Sequence, residues 1–465
     1  MTFMRNSYSL CPLAFLLLIS SAVYAQSVGI GTTKPDSTAQ LDITSASHGL
    51  LIPRVTSFVL SVIAHPAKGL MVYDTTRNQL MVNMGTSTNP DWETIVANSG
   101  WSLYGNSGTD PGNQFIGTTD DQDLSFRVNN ATAGKIMWGE QNSFFGYNAG
   151  AANTNSALGN TGIGAYALAQ NSGGNNVACG DGAMAVNTGG NANTALGYQA
   201  LTANTNGNDN VGVGSGALFN NNVGLFNTAV GVSAMVLNTA GNYNVAVGSS
   251  ALYNTTASWY NTAIGFNSGL NFDNGYNNVF VGANNDVNGA GYFNVVAIGQ
   301  DVICTASSQA RIGNEATNSI GGYANWTNFS DGRYKKNIQE NVKGLDFIMR
   351  LRPITYNLDV SAIRSYLGKK APKDAGTAQS LIDRGATVFS GFSAQEVEKA
   401  AGAAGYDFSG VDKPKNAADF YGLRYGDFVV PLVKAVQEQQ QLIETLQKRL
   451  DEQDKLIAQL LKDKK

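Results

Sequence analysis

A glycine register constrains this chain more than any other feature. Asn-led units close to Asn-(Thr/Val)-(Ala/Gly)-apolar-Gly end at Gly146, Gly164, Gly180, Gly197, Gly214, Gly231, Gly248, Gly265, Gly282 and Gly299. The intervals are 18, 16 and then 17 seven times running. A period kept that strictly predicts a solenoid in which each period is one coil and equivalent residues stack into ladders. The residue before the glycine is apolar throughout, from Phe145 and Ile163 to Val281 and Ile298. Pairs such as Ala200-Leu201 and Ala234-Met235, three and four residues after it, supply a second apolar column. Alternation along a strand sends the residue before the glycine and its partner two earlier to one face, and the Ala or Gly between them to the other. The branched face is expected to be the filled one. Asn160, Asn176, Asn193, Asn210, Asn227, Asn244, Asn261 and Asn278 form a further ladder, whose amides are expected to satisfy backbone groups at a repeated turn.

Composition agrees with repetitive β-structure. Fifty-three glycines and 14% charged residues depart from the globular average, while 43% hydrophobic content is too high for a disordered chain. The coil carries little chemistry. No lysine or arginine lies between Lys135 and Arg311, and the acids from 141 to 310 are Asp181, Asp209, Asp273, Asp286 and Asp301, each at a different phase. Paired glycosidase carboxylates must converge to within about 5–10 Å, which residues at unrelated phases of one coil do not do. The region therefore reads as scaffold or binding surface. Tyr198, Tyr243, Trp259 and Tyr260 offer faces on which a surface glycan or another cell-surface ligand would stack, with ordinary packing as the other reading. A net charge of -4 and a pI near 5.3 give no footprint for nucleic acid. His48 and His65 lack ligand spacing, so neither metal nor cofactor is expected.

Residues 1–25 combine Arg5, an apolar run from Leu10 to Val23 and a small-residue site at Val23-Tyr24-Ala25. That is the pattern of a secretory signal, so the chain is expected to be exported, to the extracellular space or the cell surface. The run is too short for a transmembrane segment. Cys179 and Cys304 sit in apolar contexts and are expected to be buried hydrophobes with no disulfide between them.

At Ser330-Asp331-Gly332-Arg333-Tyr334-Lys335-Lys336-Asn337-Ile338 the composition changes from repeat to charged, helix-patterned sequence. A serine five residues before a lysine supplies a nucleophile and, once neutral, a general base. On spacing alone the same residues also suit a capped turn with solvated lysines. Further ordered blocks follow: Leu351-Arg352-Pro353-Ile354-Thr355-Tyr356, Gly391-Phe392-Ser393-Ala394-Gln395-Glu396-Val397, then Tyr425 and Pro431 to Glu438. Together they resemble the self-cleaving intramolecular chaperone domains at the C-termini of phage tail spikes such as endosialidases. The resemblance implies a homotrimer whose C-terminal domain assists assembly and is cut off before the signature serine. Carried onto this chain, the bond is Phe329 to Ser330, with Ser330 as nucleophile, Lys335 as base, and Asp331, Arg333 and Asn337 in support. The stretch from Tyr366 to Arg384 reads as an insertion loop. The repeat resembles the left-handed β-roll heads of YadA-like trimeric adhesins, though those commonly use a shorter period.

From Val429 a heptad seam runs through Val436, Ile443, Leu450 and Ile457, with Leu432, Gln439, Leu446, Gln453 and Leu460 three residues after its members. It fits a parallel trimer, with a dimer or a helix packed on its own domain as alternatives. Such a clamp has a physical purpose. Stacking three coils in register is a non-local problem with exposed strand edges, and a C-terminal trimer aligns the ends at high effective concentration. Attack by Ser330 within its own chain is an acyl shift from nitrogen to oxygen, and attack across the trimer is the other route. The like charges of Arg333 and Lys336 are expected to favour a neutral Lys335.

The expected architecture is mainly β. It comprises a signal peptide (1–25), an N-terminal β-rich module (26–105), a β-rich linker (106–141), a β-roll or solenoid of 17-residue repeats (142–305) and a connector (306–329). An α+β chaperone and autopeptidase domain (330–428) and a coiled-coil helix (429–465) complete it. The expected function is that of an exported trimeric fibre or adhesin-like protein that autocleaves at Phe329-Ser330. The alternative is an uncleaved structural fibre with no protease activity.

Overall fold

The computed structural model describes residues 27–95, 110, 115–154, 156–372 and 374–463. The signal sequence expected at 1–25 lies outside them. The chain divides after Ile116 into two compact units.

In the N-terminal unit Val28–Ile30 pairs in parallel with Leu41–Ile43. A separate four-stranded sheet joins Arg54–Val55, Met71–Asp74, Gln79–Asn83 and Trp92–Thr94. Its small core is Leu60, Val72 and Met81, with Leu60 supplied by a short helix, Ser57–Ser61.

The second unit is mainly β and begins with two antiparallel strands, Leu124–Val128 and Ala131–Met137. They lead into Asn142–Phe145, the first strand of a parallel ladder. Each later coil contributes one three-residue strand, and the resulting sheet of thirteen strands ends at Ala310–Ile312. Register is exact from turn to turn: Thr194 pairs with Val211, Val211 with Thr228 and Thr228 with Val245.

The two strand faces are the reverse of the sequence expectation. The small middle residues, among them Ala178, Ala195, Ala229, Ala246 and Ala263, are fully buried. They pack against the second column, Leu168, Met184, Leu201, Leu218, Met235 and Leu252. The branched residues face outward, with Ile163, Leu196, Val247, Ile264 and Ile298 all exposed on the single chain. The coil is narrow enough that one Leu or Met fills its interior, and only Ala or Gly fits opposite. Where Gly269 replaces the large member of the column, Phe280 enters the core from the next turn and packs on Phe272, 5.4 Å between ring centroids. Cys179 belongs to the outward set and is exposed, contrary to expectation, whereas Cys304 is buried.

The marker glycines are required by geometry. Gly231 has φ +138°, and a Cβ there would stand 2.4 Å from the Gly248 carbonyl oxygen one turn on. The predicted asparagine ladder is present and fully buried. The Asn210 backbone N–H donates to Asn193 Oδ1 at 2.9 Å, and its amide donates to the Gly224 carbonyl at 2.8 Å. A second buried ladder, Asn171, Asn187, Asn204, Asn221 and Asn238, runs beside it, with Asn204 Nδ2 donating to Asn187 Oδ1 at 2.8 Å.

Beyond the coil, residues 345–428 enclose a core of Phe347, Val397, Ala400, Ala401, Phe408, Val411 and Phe428. Within the helix-patterned sequence after Ser330, Leu345–Ile348 forms one short helix and Ala394–Ala403 a longer one. The insertion expected as a loop is instead largely helical: Ala375–Ala386 is a helix capped by Asp374, whose carboxylate accepts from Thr377 N–H at 2.7 Å. A single helix, Val429–Lys462, ends the chain. Its Pro431 and Ala435 are buried, and Glu438 accepts the Leu345 N–H at 2.7 Å. The heptad residues Val436, Ile443, Leu450, Ile457 and Leu460 point away from this domain and are exposed. The seam is therefore not used for packing within the chain.

Candidate active site

Ser330 follows an extended connector and precedes a single 3-10 turn, Gly332–Tyr334. Asp331 caps that turn by accepting the Arg333 N–H at 2.9 Å. The turn closes through the Lys335 N–H, which donates to the Gly332 carbonyl at 3.2 Å. Folding the chain back this way brings together two side chains five residues apart. Lys335 Nζ donates to Ser330 Oγ at 2.9 Å.

Of the two neighbouring cations, Arg333 is itself ion-paired. Arg333 grips Asp331 through Nε at 3.1 and 3.0 Å and through a second nitrogen at 2.6 Å. Hydrogen bonds from the guanidinium and the backbone hold the Asp331 carboxyl below its usual range, and the carboxylate raises Arg333 in turn. A guanidinium paired so closely is largely neutralised and is a poor source of repulsion towards Lys335. Asp331 and Arg333 instead set the shape of the turn. Asn337 has φ +53° and is exposed, at a bend that follows the turn.

The Phe329 ring is 81% exposed and leans on Tyr334, 5.7 Å between centroids at 46°. That contact spans the Phe329-Ser330 bond and Tyr334 had no part in the sequence reasoning. An aromatic on each side of a five-residue turn was the available signal. Ser330 and Lys335 are both exposed on the single chain.

Elsewhere, the aromatics singled out on the coil are exposed, and of them Tyr243 and Tyr260 stack from turn to turn. Phe226, Tyr243 and Tyr260 form one column with centroids 5.0 Å apart. Among the described residues, no group of three or more His, Cys, Asp or Glu is arranged to hold a metal ion. None of the described helices is long and apolar enough to cross a membrane.

Comparison with curated proteins and with solved structures gives no match. Two family models do match. Residues 29–109 match a phage tail like trimerisation region, and residues 330–406 match the chaperone of endosialidase, with the match opening on Ser330 itself. With a β-solenoid between these segments and a helix with an exposed heptad seam after them, the two matches support a tail-fibre-like trimeric protein that carries a chaperone domain of the endosialidase type.

Proposed function

We propose that this chain is an exported trimeric fibre whose C-terminal module directs assembly and then cuts the Phe329-Ser330 bond. The reading rests on one observation above all, the 2.9 Å hydrogen bond between Lys335 Nζ and Ser330 Oγ at the first residue of the matched chaperone segment. An amine takes a hydroxyl proton only in its neutral form, and exclusion of water favours that form. In the assembled trimer neighbouring subunits supply that exclusion, so the cut follows assembly.

The reaction is an acyl transfer. Ser330 Oγ forms a bond to the Phe329 carbonyl carbon while Lys335 takes the hydroxyl proton. The C–N bond breaks, and Lys335 returns the proton to the departing Ser330 nitrogen. Water then hydrolyses the ester, leaving a Phe329 carboxylate and a free Ser330 amine. The fibre that remains presents its stacked aromatic columns to an adhesin-type ligand such as a surface glycan.

A second reading is favoured by the exposure of both side chains on the single chain. In it the module stays attached and acts only as a trimeriser. Intact mass of the purified protein separates the two. Products of residues 26–329 and 330–465, absent from Ser330→Ala, support self-cleavage, and one full-length species for both proteins supports the second reading.

A further inference from the structure

The last turns of the coil are covered by two segments that follow Ser330. Glu315, just beyond the terminal strand Ala310–Ile312, has a side chain only 7% exposed and is paired with both Arg364 and Lys369. Lys369 Nζ also donates to the Asp301 carbonyl on the coil. Burial alone would raise the Glu315 carboxyl, but the hydrogen bond from Lys369 and the two positive charges hold it below its usual range.

A second contact lies around Asp419. Its carboxylate accepts from Thr305 Oγ1 and, at 3.0 Å, from Gln309 Nε2, both on the coil. Arg311 of the terminal strand lies 3.6 Å from the same carboxylate, and its guanidinium sits 5.9 Å from the Phe420 ring centroid. Asn416 donates to the Thr305 carbonyl at 2.8 Å and to the Tyr292 hydroxyl at 3.2 Å. Asn288 donates to the Ala418 carbonyl at 3.2 Å.

These partners are 49 to 130 residues apart in sequence, and none of the contacts uses the Phe329-Ser330 bond. The coil residues reach these positions only when Ile303–Cys304 and Ala310–Ile312 are paired into their sheets. A solenoid also needs its open edge covered, since an unpaired strand recruits other chains.

We infer that segments 360–372 and 413–421 form a docking surface for the finished C-terminal edge of the coil. The module thus remains seated on the fibre as a non-covalent cap when the backbone between Phe329 and Ser330 is broken. Two buried carboxylates, Glu315 on the coil side and Asp419 on the module side, each anchor partners from across the seam. Breaking one leaves buried charges or donors unpaired, which is costly. The inference builds on the proposed cleavage, but the test does not require it.

In a full-length Ser330→Ala protein, a site for an added sequence-specific protease is inserted between Gly322 and Tyr323, where the connector is exposed. After cutting, the pieces are separated by size under native conditions. Expected is co-elution of the C-terminal piece with the fibre from the parent, and at least tenfold weaker retention in Glu315→Arg and in Asp419→Ala. Glu315→Gln, a milder change, gives an intermediate loss, and circular dichroism melting verifies that each variant is folded. Separation of the parent pieces, or retention by folded Glu315→Arg and Asp419→Ala as tight as in the parent, overturns the cap. Failure of self-cleavage in the unaltered chain leaves this result untouched.

Discussion

The Asn210 amide donates to Asn193 Oδ1 at 3.1 Å, one coil earlier, while its own Oδ1 accepts the Asn227 backbone N–H at 3.0 Å, one coil later. Each ladder residue is thus donor to the turn below and acceptor for the turn above. Asn210→Ala leaves the Asn227 N–H buried without its partner, at about 1–3 kcal/mol, and leaves the Gly224 carbonyl with only its bond from the Asn221 amide. A fall in coil stability of about 3 kcal/mol is expected. Asn206→Ala, at an exposed position, stays within about 0.5 kcal/mol of the parent. Denaturant melts followed by circular dichroism compare them.

The Ser330–Lys335 pair makes a chemical prediction. Lys335→Arg retains positive charge and reach but cannot give up its proton, so it should stop cleavage as completely as Lys335→Met. Asp331→Ala removes the cap of the turn without removing either reacting group, and should slow the cut by about tenfold or more through misplacement. Gel densitometry over time after refolding gives the rates. Unchanged cleavage in Lys335→Met removes the lysine from the mechanism.

Asp286 occupies the inner column where other turns place Leu or Met, and burial pushes its carboxyl up to about 6 although the Asn271 and Val287 N–H groups donate to it. The folded value lies above that of the unfolded chain, so the folded state takes up the proton first as pH falls. Stability therefore rises as pH drops from about 6 towards 4 and is lower at neutral pH. Asp286→Asn should flatten this window and stabilise the coil at pH 7, by at most about 3 kcal/mol for a shift of roughly two units. Thermal melts from pH 4 to 8 give the slope, and a slope retained in the variant assigns it elsewhere.

The exposed seam on Val429–Lys462 predicts an assembly defect. Ile443→Asp with Leu450→Asp places charge in the centre of three facing helices. Recovery of trimer after dilution from denaturant should fall at least tenfold, while coils assembled beforehand keep their melting behaviour. Sedimentation of the refolded material measures the recovered fraction, and normal recovery would show that the helix plays no part in assembly.

The parts of this molecule most visible in its sequence are those tied to a fixed period. The glycine register at Gly231 and Gly248 and the ladder through Asn193 and Asn210 follow from repetition, because a stacked coil gives each turn the same steric and hydrogen-bonding problem. The second ladder through Asn187 and Asn204 had a matching signal, an Asn three residues before a glycine in most turns. Which strand face lines the core was harder. Alternation separates Ala195 from Leu196 but does not say which one points inward, and the narrow bore decides for alanine. The Ser330–Lys335 pairing was legible because five residues and one turn enclose it. The contacts of Thr305 with Asp419 and of Glu315 with Arg364 were not, since nothing local to either residue specifies a partner 114 or 49 positions away.

The seven equal intervals from Gly180 to Gly299 carry a consequence for how such a molecule changes length. Deleting or duplicating one whole turn rejoins every amide to an equivalent neighbour and leaves both ends of the coil as they were. One residue more or less is taken up within a turn, as between Gly146, Gly164 and Gly180, where both amide ladders continue, but such a change adds no length to the stack. Fibre reach can therefore drift in steps of a single turn without redesign of the start or the finish, and the modules at either end are free to serve shafts of many lengths.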